Sequence, residues 1–231
     1  MTSRRALLRY LAAASVLGAV PAAAREQARQ AGLLTGNVCT LTPRVTEGPF
    51  YFDPALVRQD IREDRPGVPL HLRMQVVTAD CRPIDGARVD IWQCDAQGNY
   101  SGYARQAALD TSGQTFLRGT QFADARGVAQ FRTIWPGWYP GRTTHIHFKV
   151  LLGEDAPRQA LTGQIFFDET FNQAIYDQSA EYRRDRAQDT LNANDGIARR
   201  AGPRSYAEVR QGQDRGGFEA DIVIGVDPAA G

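Results

Sequence analysis

Three cysteines, three histidines and a single lysine are all that 231 residues supply of those side chains. Cys39, Cys81 and Cys94 contain no C-x-x-C pair, which argues against a structural zinc site. Net charge is equally scarce: 27 basic residues stand against 26 acidic ones, and every base except Lys149 is an arginine. Such a balance gives no support to nucleic acid or an anionic membrane as the main partner. There is no internal repeat, no low-complexity tract, and no regular alternation of strands with long helices. A doubly wound parallel sheet is therefore disfavoured.

The first 24 residues, MTSRRALLRYLAAASVLGAVPAAA, hold Arg4, Arg5 and Arg9, no acid, a short apolar run and Ala22-Ala23-Ala24. A basic start, a short apolar segment and an A-x-A end make an export signal. The run is too short and alanine-rich to span a bilayer stably. The paired arginines point to the twin-arginine export machinery. We therefore expect a leader over 1–24, an arm over 25–45, and one catalytic-size domain over 46–231. The expected location is periplasmic or secreted, with no stable membrane anchor. An oxidising compartment permits one disulfide. Cys39–Cys81 is the preferred pair, because Cys81 and Cys94 are expected at opposite ends of adjacent strands, too far apart to bridge.

With 42% of its residues hydrophobic, the chain can bury one good core. From Leu70 the pattern has period two, and 70–79 and 87–94 read as an antiparallel pair joined by the turn residues 80–86. Residues 115–122 and 128–134 flank Asp124-Ala125-Arg126-Gly127 as a hairpin. Further strands are expected at 145–152, 161–167 and 218–226, with a surface helix in 172–188. Many short strands with Gly/Pro turns predict an all-β fold, a single-domain antiparallel β-sandwich with long loops and a few short helices.

Two of the three histidines, His145 and His147, stand one residue apart in WPGWYPGRTTHIHFKV. On a strand, residues i and i+2 share a face, so both imidazoles project side by side. That suits one metal ion, although H-x-H alone serves zinc, copper or iron, and a polar pair on a half-exposed strand is the plainer reading. A zinc site wants a third histidine, a cysteine or a carboxylate. His71 opens an early strand without a supporting motif, and no carboxylate is close in sequence, although folding can bring Asp168 and Glu169 near in space. Tyr139, six residues before His145, and Tyr100, in GNYSGY, lie on loops able to reach the pair, with Tyr103 a rival for Tyr100. A phenol has a pKa near 10 and ionises at neutral pH only beside something strongly cationic. Ferric iron does this better than zinc.

TEGPFYF (46–52), GARVDIWQCDAQGNYSGY (86–103), FRTIWPGWYPGRTTHIHFKV (131–150) and LTGQIFF (161–167) together resemble the intradiol ring-cleavage dioxygenases. The resemblance runs from about residue 45 to the terminal strand and implies a β-sandwich holding non-haem Fe(III) through two tyrosines and two histidines. It assigns Tyr100 as the tyrosine that stays bound, Tyr139 as the one displaced by substrate, and His145 and His147 as the histidine pair. G-x-Y spacing favours Tyr100 over Tyr103. Arg142 matches an active-site arginine and Gln164 an accompanying glutamine. The implied reaction takes a catechol-type ring and O2 to a cis,cis-muconate-type diacid. Two departures are visible: the Tyr139–His145 loop is short, and residues 25–45 leave little room for a helical dimerisation region. Ring substituents and homo-oligomerisation therefore stay open. The alternatives are a secreted non-catalytic β-sandwich binding module that keeps the motif, and a zinc hydrolase.

Overall fold

The computed structural model describes residue 28 and residues 32–36, 40–53, 55–106, 109–153, 157–212 and 217–229. In chain order these form β1 (Pro69–Thr78), β2 (Arg88–Trp92), β3 (Arg118–Phe122), β4 (Val128–Ile134), β5 (His145–Leu152) and β6 (Arg158–Phe166). Then follow α1 (Glu169–Gln178), α2 (Gly196–Ala201), β7 (Glu208–Gln211) and β8 (Phe218–Val226), with short 3-10 turns at Ala180–Tyr182 and Pro203–Ser205. The strands make two four-stranded sheets, ordered β4-β1-β8-β7 and β3-β2-β5-β6. A β-sandwich with a few short helices is thus the fold. Among the described residues no helix is long and apolar enough to cross a membrane. The expected leader, 1–24, lies outside the described residues.

Several pairings differ from expectation. β1 and β2 are not neighbours: β1 pairs with β4 and β8, and β2 with β3 and β5. Both strands bury alternate apolar residues, Leu70, Leu72, Met74 and Val76 against Val89 and Ile91, so they face one another across the core. Period two fixes which face is buried and leaves the neighbour undetermined. The 124–127 turn forms as expected, with Asp124 Oδ1 accepting from the Arg126 and Val128 N–H groups, yet it crosses from one sheet to the other. The β1–β8 pair is parallel, whereas the other strand pairs among the described residues are antiparallel. The expected helix over 172–188 begins earlier and ends at Gln178, its start capped by the Asp168 carboxylate accepting from Thr170 N–H.

Cys81 is disulfide-bonded and Cys94 is a buried free thiol, while Cys39, the expected partner, lies outside the described residues. The reason Cys81 and Cys94 stand apart is corrected: they follow strands of different sheets. The arm packs Leu33 and Leu34 on Val77 and Val223 of the first sheet, then crosses to the second, where Val45 N–H bonds Thr162 O at 3.1 Å.

The second sheet positions the site. Its inner face carries Ile146, Phe148, Val150 and Ile165 into the core. Its other face is buried too, although it is polar: His145, His147, Lys149, Asp90, Thr120, Thr162 and Gln164 all lie under the 44–53 segment and the α2 region. Tyr51 OH donates to Asp90 Oδ2 at 3.0 Å, and the Lys149 ammonium sits 3.4 Å above the Tyr51 ring, ion-paired to Glu47. Directly across from Phe148 is Gly163, where an added Cβ would come within 2.3 Å of the Phe148 ring. Gly163→Ala should therefore lower stability by about 1–3 kcal/mol, read as a reduced thermal midpoint.

Candidate metal centre

His145 and His147 emerge together from β5, with Ile146 buried on the core side. His145 Nδ1–H donates to Thr143 O at 2.6 Å, which leaves Nε2 as the lone-pair nitrogen. That nitrogen lies 3.1 Å from His147 Nε2, 3.2 Å from Tyr139 OH and 3.5 Å from Tyr100 OH. Four donor atoms converge on one small volume. Around a first-row metal with bonds of roughly 2.0–2.2 Å, donors stand about 3 to 3.5 Å apart, so the set fits a single ion. His147 Nδ1 is buried without a hydrogen-bond partner, and its ring is held by shape instead. Trp92 stacks on it (4.9 Å between centroids, 8° between planes), and Gly48 approaches so closely that a Cβ there would reach Cε1 at 3.3 Å.

Burial sets the protonation states. It drives the Tyr100 pKa well above 10 and the Tyr139 pKa up to about 12, with the Arg142 guanidinium pulling both the other way. Burial and then Arg142 press His145 down to about 3, and burial holds His147 well below its ordinary value. At neutral pH the metal-free site is therefore two neutral phenols and two neutral imidazoles. Only a strongly polarising cation would release both phenolic protons. No cluster of three or more His, Cys, Asp or Glu side chains suited to a metal occurs among the described residues, so the usual zinc donor sets are not assembled.

Arg142 leaves the same loop as Tyr139 and spans the site. Its Nη1 donates to Tyr139 OH at 3.5 Å, its Nη2 to Gln164 Oε1, and its Nε to Asp195 Oδ2 at 2.8 Å. Gln164, across from His147 in the sheet, donates in turn to Thr46 O at 3.1 Å. Asp195 is a residue the sequence reading missed. It accepts from Thr143 N–H at 3.0 Å and caps α2 through Ile197 and Ala198 N–H groups, so one carboxylate fixes the arginine, the loop and the helix. Its local signal was an aspartate before Gly196-Ile197-Ala198, an ordinary N-cap pattern without any hint of Arg142. Phe50 was also missed; it stacks on Tyr100 at 4.3 Å.

Other candidates stand elsewhere. Tyr103 is edge-on to Phe50, and among the described residues only Tyr100 and Tyr139 bring a phenol oxygen within 3.5 Å of His145 Nε2. His71 lies in the first sheet, paired with Arg132 and Glu219. Asp168 caps α1, and Glu169 accepts from Asn192 N–H at 2.8 Å.

The family model Dioxygenase_C, described as Dioxygenase, matches residues 43–208. The chain belongs to the intradiol ring-cleavage dioxygenase family. Among solved structures, the intradiol ring-cleavage dioxygenase from Tetranychus urticae is 33% identical, with a TM-score of 0.75 covering 83% of this chain and 96% of that one. The dioxygenase domain of a dioxygenase–carbohydrate-binding protein fusion from Streptomyces sp. SirexAA-E is 30% identical, with a TM-score of 0.60 over 82% of this chain and 100% of that one. Catechol 1,2-dioxygenase from Pseudomonas sp. (strain EST1001) is 36% identical over 103 residues, 42% of this chain and 32% of that protein. Chlorocatechol 1,2-dioxygenase from Pseudomonas sp. (strain P51) is 32% identical over 143 residues, 53% and 54% of the two chains. The chain thus spans between a third and about half the length of these curated relatives. Intradiol dioxygenases typically use non-haem Fe(III), a hard cation suited to two phenol oxygens and two imidazoles.

Proposed function

We propose that this chain is a non-haem Fe(III)-dependent intradiol dioxygenase that cleaves catechol-type rings. Both atoms of O2 enter the product, a cis,cis-muconate-type diacid. The observation that carries this reading is the convergence of Tyr100, Tyr139, His145 and His147 beside a guanidinium, Arg142, that reaches Tyr139. A binding module has no need of that arginine held by a buried carboxylate. Ferric iron, when bound, would supply the charge that ionises the phenols and makes a catecholate reactive towards O2.

The protein's own groups do the rest. Tyr139, partly exposed where Tyr100 is fully buried, would hold the ion as the more readily displaced of the two tyrosines, its phenolate oxygen placed to take a phenolic proton from the substrate. Arg142 stabilises negative charge developing on the ring, held in advance by Asp195 and Gln164. Tyr100, fully buried under Phe50, stays in place. Trp92 and the 46–52 segment close the far side against water. The leader reading belongs to the same proposal: twin-arginine export of a loaded protein, with a periplasmic or secreted destination.

Protein purified with ferric iron should be reddish from tyrosinate charge transfer, and anaerobic catechol should shift the band. On adding air, oxygen uptake should equal ring consumed. A colourless protein that holds no iron after reconstitution would sink the proposal. A panel of substituted catechols followed by oxygen uptake identifies the preferred ring.

A further inference from the structure

Arg118, in β3, is among the largest fully buried side chains of the protein. Its Nε donates to Ser101 Oγ at 2.8 Å, its Nη2 to Ser101 O at 2.8 Å and its Nη1 to Phe50 O at 2.6 Å. The guanidinium also lies 4.2 Å from the centroid of the Phe52 ring. All of these partners are uncharged, and among the described residues no carboxylate lies within ion-pair distance of it. The contrast with Arg142, paired to Asp195, is direct. Burial lowers the Arg118 pKa to about 10, which still leaves the side chain charged at neutral pH. A buried cation with no counter-charge is costly, and hydrogen bonds to neutral oxygens offset only part of that cost.

The strand register shows where a counter-charge would come from. Arg118 pairs across the sheet with Trp92, and Trp92 pairs with His147 and stacks on it. The Arg118 Cζ is 6.0 Å from the Tyr100 ring centroid. Its hydrogen bonds hold Phe50, which stacks on Tyr100, and Ser101, which follows Tyr100 in the chain.

We propose that Arg118 is the buried counter-cation of the metal centre, offsetting phenolate charge on its Tyr100 side and raising the reduction potential of the bound iron. This rests on the ferric reading of the site. The sign follows from charge alone. One-electron reduction adds a negative charge to the centre, and a fixed cation in a low-dielectric surrounding stabilises the added electron. Two tyrosinates favour the ferric state; Arg118 moderates them, keeping the ion electron-poor enough to draw density from a catecholate.

The test uses the full chain loaded with iron and reads the ferric/ferrous potential by spectroelectrochemistry at the tyrosinate band. Arg118→citrulline, installed by nonsense suppression, keeps the shape and most donors but removes the charge. Arg118→Lys keeps the charge but loses the fork. Citrulline should shift the ferrous/ferric ratio at a fixed electrode potential at least tenfold towards ferric, about 59 mV for one electron. Lysine should stay within about threefold of wild type, less than half that shift in potential. Citrulline indistinguishable from wild type, or both variants shifting together, overturns the proposal and reduces Arg118 to a hydrogen-bonding clasp. Should Arg118→Lys fail to fold, citrulline against wild type decides alone. A wild-type protein with no tyrosinate band overturns the ferric reading as well, so the two failures are distinct.

Discussion

Tyr100→Phe is expected to abolish ring cleavage and to lower iron retention by about 100-fold or more, since even partners that only support metal ligands change affinity by 10–100-fold. The substitution removes one oxygen and keeps the ring, so the stack on Phe50 survives. Far-UV circular dichroism and the thermal midpoint of metal-free protein should therefore match wild type. Iron content after gel filtration should fall, and the residual visible band should narrow to the contribution of Tyr139. Tyr103→Phe is the control: its ring meets Phe50 edge-on, and its loss should leave iron content unchanged. If Tyr100→Phe retains both iron and turnover, the ligand assignment is wrong.

How far the amino-acid sequence shows this site depends on which physical relation is asked of it. His145 and His147 are legible because a strand has period two, and the face they share is a local property of eight residues. The tyrosines are legible as candidates from loops able to reach the pair, but the choice of Tyr100 needed the resemblance, since it is 45 residues from His145 and no periodicity links them. Strand neighbours were read wrongly for the same reason. The alternation in 70–79 and 87–94 describes buried faces, which a facing pair and an adjacent pair satisfy equally. The parallel β1–β8 pair joins segments whose residues are nearly 150 apart, beyond any local pattern. Arg118 was hidden by composition: among many arginines, nothing in TFLRGTQF marks the one that is fully buried. The polar outer face of the second sheet is hidden in the same way: nothing in the sequence marks Asp90, Lys149 and Thr162 as buried, yet all three lie beneath the 44–53 segment.

Asp195→Ala should give the largest loss of stability of any single change here, about 3–5 kcal/mol, because it leaves a partly buried guanidinium without its partner. The Asp195 side chain is only 1% exposed, and four groups lose their acceptor at once: Arg142 Nε and the N–H groups of Thr143, Ile197 and Ala198. Turnover should fall by about 100-fold in whatever protein remains folded, since Arg142 is then free to drift from Tyr139 and a shift near 1 Å at a reacting centre costs that much. Asp195→Asn separates the two roles. It keeps an oxygen for the α2 cap and removes the charge that faces Arg142, so its stability loss should be smaller. The pH dependence has a definite sign. Burial alone would raise the Asp195 pKa, but the bonds from Thr143 N–H, Arg142 and Ala198 N–H outweigh it and hold the carboxyl below 3.8. A group depressed on folding contributes its stability above the unfolded pKa and loses it as pH falls through the folded value. Denaturant melts of wild type and Asp195→Asn should therefore differ by a constant amount from pH 7 to about 5, then converge as pH falls below about 4. A difference that persists undiminished into acid would mean that the carboxylate charge contributes nothing, leaving the hydrogen bonds alone to hold Arg142.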